Sequence, residues 1–208
     1  MYILLILLLF KVTLSYNLCI VGISSGLGRE IAYQAITEKN LKVLGLSKSL
    51  YPIYKPFRGI GLEETQLTDM FVSENLKIDL YHNSKNYYYD HIVFCTSGYS
   101  FEKDYSDKIT KKILDDLPYT CKSISLVSAA GVNKKTNNPY LELMKITSLK
   151  DIYRAKKIQE KLIYNFDDDI CKFIYRPTLL SYGISLFDST TRFELSRKIL
   201  NNINKVDR

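Results

Sequence analysis

Residues 18–32 read Leu18, Cys19, Ile20, Val21, Gly22, Ile23, Ser24, Ser25, Gly26, Leu27, Gly28, Arg29, Glu30, Ile31, Ala32. An apolar run of β character, Leu18 to Val21, meets a glycine-rich turn and then an amphipathic helix. The glycines stand at Gly22, Gly26 and Gly28, a GxxxGxG spacing rather than the commoner GxGxxG. A helix N-terminus offers unpaired N–H groups and partial positive charge to an anion. Glycines permit the tight turn and let a phosphate approach bare main chain. The stretch therefore predicts a strand–turn–helix unit with a phosphate site at its bend, carried by Gly22, Ser24, Ser25, Gly26, Leu27 and Gly28.

Working outward, strands and helices alternate. The predicted helix over 27–38 carries Ile31, Ala35 and Ile36 on one face, and Asn40 ends it. Strands are predicted over 42–46, 76–80, 91–95, 123–127 and 172–175, the third of these a continuous apolar run of the kind found in buried parallel strands. Between them, helices are expected over 105–117, closed by Pro118, over 152–164 and over 193–202. Residues 50–75 read as a loop, with Pro52, Pro56, Gly59 and Gly61, followed by a short helix over 63–71. Strand–helix alternation implies a parallel sheet covered on both faces, an α/β, doubly wound architecture. No internal repeat, low-complexity tract or interdomain linker interrupts it, so residues 16–208 are expected to form a single domain.

Composition narrows the class. The chain has 208 residues, 46% of them hydrophobic, enough for one buried core. Net charge is +7, but the lysines are scattered and no basic stretch alternates with aromatics, which argues against a nucleic-acid module. A solvated basic surface serving a polyanionic ligand fits better. The cysteines Cys19, Cys95, Cys121 and Cys171 form no CxxC pair, so zinc is not expected, and buried thiols acting as small hydrophobes are. His82 and His91 lack a ligand pattern, and no metal site is expected.

Residues 2–10 are apolar throughout, too short a run to span a bilayer comfortably. The segment 1–15 reads as a signal peptide cleaved after Ser15, or as a membrane tether; an extra buried strand is the alternative. The secretory route, an endomembrane or an organelle follows from the first two readings, a cytoplasmic location from the third. The absence of a permitted Asn-x-Ser/Thr site argues mildly against a glycosylated secreted protein.

The string from Gly22 to Arg29 resembles the cofactor loop of the short-chain dehydrogenase/reductase family, with Val21 where that family usually has Thr. Later segments extend the resemblance. Ser47-Lys48, after the second predicted strand, is similar to the Ser-Arg of NADP-binding members, and no acid lies from Leu41 to Lys55 to hold a ribose 2′-hydroxyl. This favours NADP over NAD. Asp79-Leu80 resembles the family's adenine-capping site. Thr96-Ser97-Gly98 keeps only the glycine of the family's Asn-Ala-Gly, so Ser97 and Gly98 are expected at the nicotinamide ribose through their backbone. Ser128-Ala129-Ala130-Gly131 resembles the segment bearing the catalytic serine.

Tyr153-Arg154-Ala155-Lys156-Lys157 is a YxxxK motif. On a helix, i and i+4 share a face, and a nearby ammonium lowers a phenol's pKa toward use as an acid and base. The resemblance makes Tyr153 the acid/base, Lys157 its electrostatic partner and ribose ligand, and Ser128 the stabiliser of charge on the substrate oxygen. Tyr140 is a rival at the classical spacing, but Met144 stands where its lysine belongs. The longer Ser128-to-Tyr153 gap and the Arg176-Pro177 segment resemble extended or atypical members.

The resemblance implies a Rossmann domain and an NADP-dependent oxidoreductase acting on a small-molecule carbonyl or alcohol. A cofactor-binding regulator or assembly factor without turnover is the alternative. Epimerase or dehydratase chemistry needs a sugar-nucleotide pocket, for which too little chain follows Pro177. The substrate pocket is expected from the loops 132–150 and 178–192.

Overall fold

The computed structural model describes residues 15–50, 52–54, 56, 66–71, 74–96, 106–133, 139–147, 149–177, 180–181 and 190–207. The apolar run at 2–10 and the expected ribose contacts Ser97 and Gly98 lie outside them.

Six parallel strands form one sheet: β1 (Ser15–Val21), β2 (Val43–Ser47), β3 (Leu76–Leu80), β4 (Tyr88–Phe94), β5 (Ser123–Val127) and β6 (Cys171–Tyr175). Their order is β3-β2-β1-β4-β5-β6, the doubly wound arrangement in which direction reverses between β1 and β4. Register is fixed in the middle of the sheet by Leu18 opposite Val43 and His91, and by Ile20 opposite Gly45 and Val93.

Helix α1 (Gly26–Lys39) follows β1. Asn40 ends it in the left-handed region at φ 52° and returns its N–H to the Ala35 carbonyl. The short α2 (Leu67–Met70) precedes β3. Then come α3 (Ser106–Asp115), α4 (Pro139–Ile146), α5 (Lys150–Tyr164) and α6 (Arg192–Val206). A two-stranded parallel pair, β7 (Leu180–Ser181) with β8 (Thr190–Thr191), stands outside the main sheet.

Side chains of β1 alternate between two cores, as the period of two requires. Leu18 and Ile20 pack with Ile31, Ala32 and Ala35 of α1 and Leu195, Ile199 and Ile203 of α6. Cys19 and Val21 face the opposite layer, with Phe94, Ile113 of α3 and Ile163 of α5. Gly45 of β2 has no side chain because Ile23, emerging from the glycine turn, fills the space a Cβ would take.

Several expectations change, β4 for one starting at Tyr88 rather than His91. The first strand begins at Ser15, not Leu18, and Tyr16 is already buried beside Tyr89 of β4. Residues 139–146, expected within a loop, are helical, with Pro139 at the first position, where its missing N–H costs nothing. Cys171 is exposed at the start of the edge strand, while Cys19, Cys95 and Cys121 are buried. Among the described residues no helix is long and apolar enough to cross a membrane.

Candidate functional site

Parallel strands all end on the same side, so the segments after β1 to β6 meet along one edge of the sheet. In open α/β sheets, ligands bind there, at the point of reversal. The glycine turn lies at that point.

Gly22 leaves β1 with φ 88°. A Cβ there would stand 3.1 Å from both the Cys95 carbonyl carbon and the Thr96 nitrogen, so the turn presses directly on the end of β4. Ser25 caps α1, its Oγ accepting the Gly28 N–H at 2.9 Å. Ahead of that position stand the Gly26 and Leu27 amides, for which a helix has no internal partner. A Cβ on Gly28 would collide with the Gly22 carbonyl oxygen and the Ile23 Cα. Ser24 is exposed and Ser25 half-buried, whereas the Leu27 side chain is buried in the core. Leu27 thus has only its amide to offer a ligand.

Ser47 closes β2 and is buried, its Oγ accepting the Ser49 N–H at 3.4 Å; Lys48 follows, exposed. Asp79 lies near the end of β3, where it was expected, with Leu80 beside it. Its carboxylate turns back on its own chain. Oδ1 accepts from the Leu80 N–H at 2.7 Å and from Asn83 Nδ2 at 2.8 Å, and Oδ2 accepts from the Tyr87 hydroxyl. Burial opposes its charge, but these bonds and the Lys77 charge outweigh burial and hold the carboxyl below the usual range. Asp79 organises the turn after β3, and its oxygens are already engaged.

The Ser128 hydroxyl is buried just past β5 and has no hydrogen-bond partner among the described residues. Tyr153 reaches the same segment, donating its hydroxyl to the Ala130 carbonyl at 2.9 Å. Lys157 does not join them. It is exposed, on the wall of a groove of about 480 Å³ shared with Arg154, Ile158, Lys161, Ile174 and Arg176. The lysine that turns inward is Lys156, only 3% exposed. Its ammonium donates to the Val127 carbonyl at 2.9 Å and to the Thr96 carbonyl, bridging the ends of β5 and β4.

Helical phase explains the exchange. The buried stripe of α5 is Ala155, Lys156, Gln159, Glu160 and Ile163, an i, i+1, i+4, i+5, i+8 face, and Lys157 falls off it. That stripe was readable from Ala155 and Ile163, and it points to Lys156. It also carries two groups that motif reasoning missed. Gln159 Nε2 donates to Thr110 Oγ1 at 2.7 Å, to Thr96 Oγ1 at 3.2 Å and to the Ser106 carbonyl at 3.2 Å, tying α5 to α3 and β4. Glu160 takes both prongs of Arg176, Nε and Nη2 at 2.8 Å each, and a hydrogen bond from Asn133 Nδ2. The Glu160 bond is the main cause that raises the Arg176 pKa further. This fork locks the chain after β6 to α5, and a polar signature as sparse as one Arg and one Glu in helix register does not announce it.

Burial pushes the Cys95 thiol up to about 12, against the opposing pull of Lys156, so Cys95 remains a neutral part of the core. The tyrosine rival to Tyr153, Tyr140, has its side chain outside the described residues. Among the described residues no cluster of metal-binding side chains occurs. His91 is instead buried between Ser123 Oγ at 2.8 Å and Asp207 Oδ2 at 3.1 Å, at the opposite edge of the sheet.

No protein-family model matches this sequence, and a search of curated proteins found no match. Solved structures do match in shape. An oxidoreductase from Lactococcus lactis superposes with a TM-score of 0.67 at 14% identity, covering 91% of this chain and 85% of that one. A short-chain dehydrogenase/reductase from Veillonella parvula in complex with NADP gives 0.63 at 11% identity, covering 91% and 88%. The fold is that of the short-chain dehydrogenase/reductase structures. ChuY, an anaerobillin reductase from Escherichia coli, gives 0.60 at 14% identity, covering 90% of each chain. At these identities the likeness establishes the Rossmann-type fold and leaves the chemistry to the residues.

Proposed function

We propose that this chain binds a nicotinamide dinucleotide, NADP in preference to NAD, and uses it to reduce or oxidise a small carbonyl or alcohol. The observation that carries the reading is the bare main-chain cradle at the point where strand order reverses. There Gly22 takes a positive φ, Ser25 caps α1, and a Cβ on Gly28 would close the bend. That cradle fits a diphosphate, and the Veillonella structure of the same fold is in complex with NADP. Lys48, beyond β2, is the residue assigned to a 2′-phosphate.

When bound, the nicotinamide supplies hydride transfer; the rest falls to side chains of this protein. Tyr153 is the proton donor and acceptor, with its hydroxyl released from the Ala130 carbonyl toward the substrate oxygen. Ser128 donates a hydrogen bond to that oxygen as charge grows on it. Lys156 places a positive charge at the ends of β4 and β5, where its ammonium donates to the Thr96 and Val127 carbonyls.

A second reading, a dinucleotide-binding regulator without turnover, is favoured by one observation: the Tyr153 hydroxyl is committed to main chain and the Ser128 hydroxyl is buried. The apolar run 2–10 stays assigned, as a proposal, to membrane association or secretory routing.

Titration of the purified chain with NADPH and NADH, followed by a carbonyl substrate panel, separates the readings. The expected result is tighter binding of NADPH, and turnover that Tyr153→Phe lowers by about 100-fold or more while cofactor affinity is unchanged. Dinucleotide binding without turnover of any substrate supports the regulator. Stronger binding of NADH removes the role given to Lys48.

A further inference from the structure

Helix α6 begins at a fixed point. Thr191 caps it: its Oγ1 accepts the Glu194 N–H at 3.1 Å, and the Glu194 carboxylate accepts the Thr191 N–H at 3.1 Å and its hydroxyl at 2.8 Å. Both partners of this capping box are thereby engaged. Behind it, α6 packs through Leu195, Ile199 and Ile203 on the same core as Ile31, Ala32 and Ala35 of α1. Gln34 of α1 donates to the Phe193 carbonyl at 3.3 Å. The first residue of α6, Arg192, is therefore delivered to the N-terminal end of α1.

Its guanidinium lies against Gly26. A Cβ built on Gly26 would stand 2.6 Å from Arg192 Nη1, 2.7 Å from Cζ and 3.0 Å from Nε. Gly26 is the first residue of α1, on the turn that forms the phosphate cradle. The N-terminus of α1 is positive by its dipole, and its first turn holds no acid. An anion at that end would sit between the positive end of the helix and the guanidinium and be attracted by both.

We propose that Arg192, supplied by the last helix, is a ligand of the diphosphate held at the glycine turn. The proposal rests on the dinucleotide reading above and deepens it. Arginine suits the task because its planar fork can take two phosphate oxygens at once while its flat face lies on the bare Cα of Gly26. The 2′-phosphate is not its target, since that group belongs beside Ser47 and Lys48 beyond β2, on another strand end. One consequence is structural: bound ligand ties α6 to α1 through its phosphates.

The test titrates the full chain and its Arg192→Gln and Arg192→Lys variants with NADPH, NADH and ADP, the last carrying a diphosphate without nicotinamide. Arg192→Gln is expected to weaken all three by about 10-fold or more, the scale of a lost charge-assisted pair. Arg192→Lys should fall between, and the NADPH-to-NADH preference should not change. Equal or tighter binding by Arg192→Gln overturns the proposal and leaves the dinucleotide reading standing; tighter binding makes the guanidinium a competitor for the cradle. A loss confined to NADPH also overturns it, by assigning Arg192 to the 2′-phosphate. If the wild type binds none of the three ligands, both readings fall together. Should Arg192→Gln melt below the assay temperature, Arg192→Lys decides, and unchanged affinity in that variant overturns the proposal.

Discussion

Lys156 and Lys157 are neighbours in sequence with opposite fates. The ammonium of Lys156 donates to the carbonyls of Thr96 and Val127, while Lys157 lines an open groove. Replacing Lys156 by Met leaves two buried carbonyl oxygens without their donor, at about 1–3 kcal/mol for each group left unsatisfied. Lys156→Met is therefore expected to lower unfolding free energy by at least about 2 kcal/mol. Lys157→Ala should stay within about 0.5 kcal/mol of wild type, as exposed substitutions do. Urea unfolding of the two variants checks this, and equal effects would show that the inward lysine had been misassigned. The YxxxK motif was legible in the sequence, yet the lysine that turns inward is the one beside its final position. A four-residue spacing says that two side chains share a face. It does not say which face the rest of the helix buries.

The elements themselves were largely readable. The predicted spans for β3 and β5 coincide with the observed ones, and in both, polar and apolar residues alternate as they do in a strand. Asn40 stops α1 as expected, since a short polar side chain tolerates the left-handed conformation that closes a helix. Helix α4 was missed because it is only eight residues long and fell in a stretch assigned to a loop, although Pro139 at its first position is a start signal. The start of α6 was misplaced by one residue, and that one residue is Arg192. Its capping box, Thr191 with Glu194, was present in the sequence and would have set the boundary. Thr191→Ala is expected to cost about 1 kcal/mol, within the usual range for a lost cap, measured by thermal or urea unfolding. If the cap also positions Arg192, ligand affinity should fall with it.

The two edges of the sheet are held differently. At the edge where the strands end, the Glu160–Arg176 fork holds the chain after β6 to α5. At the other edge Asp207, just past α6, accepts from Lys122 Nζ at 3.0 Å and pairs with buried His91, joining the C-terminal end of α6 to β4 and to the residue before β5. Burial opposes the Asp207 charge, but the bonds from Lys122 and His91 prevail and hold its carboxyl below the ordinary range. A depressed carboxyl pKa stabilises the fold above the unfolded value and ceases to do so as pH falls through the folded one. Asp207 is 42% exposed, so solvent screening limits the effect. Asp207→Ala should lose about 1 kcal/mol at pH 7, and the gap should close in strong acid, below the ordinary carboxylate range. Chemical denaturation across pH tests this, and a gap that persists in acid would mean that packing, not charge, holds α6 there. Sequence alone determined the parallel α/β architecture and the glycine bend, because hydrophobic periodicity and bare main chain are local properties of a chain. Only the tertiary structure decided that Lys156 turns inward, that Asp79 spends its carboxylate on its own turn and that Arg192 lies on Gly26. Those outcomes depend on which distant surfaces pack together, and no local spacing encodes that.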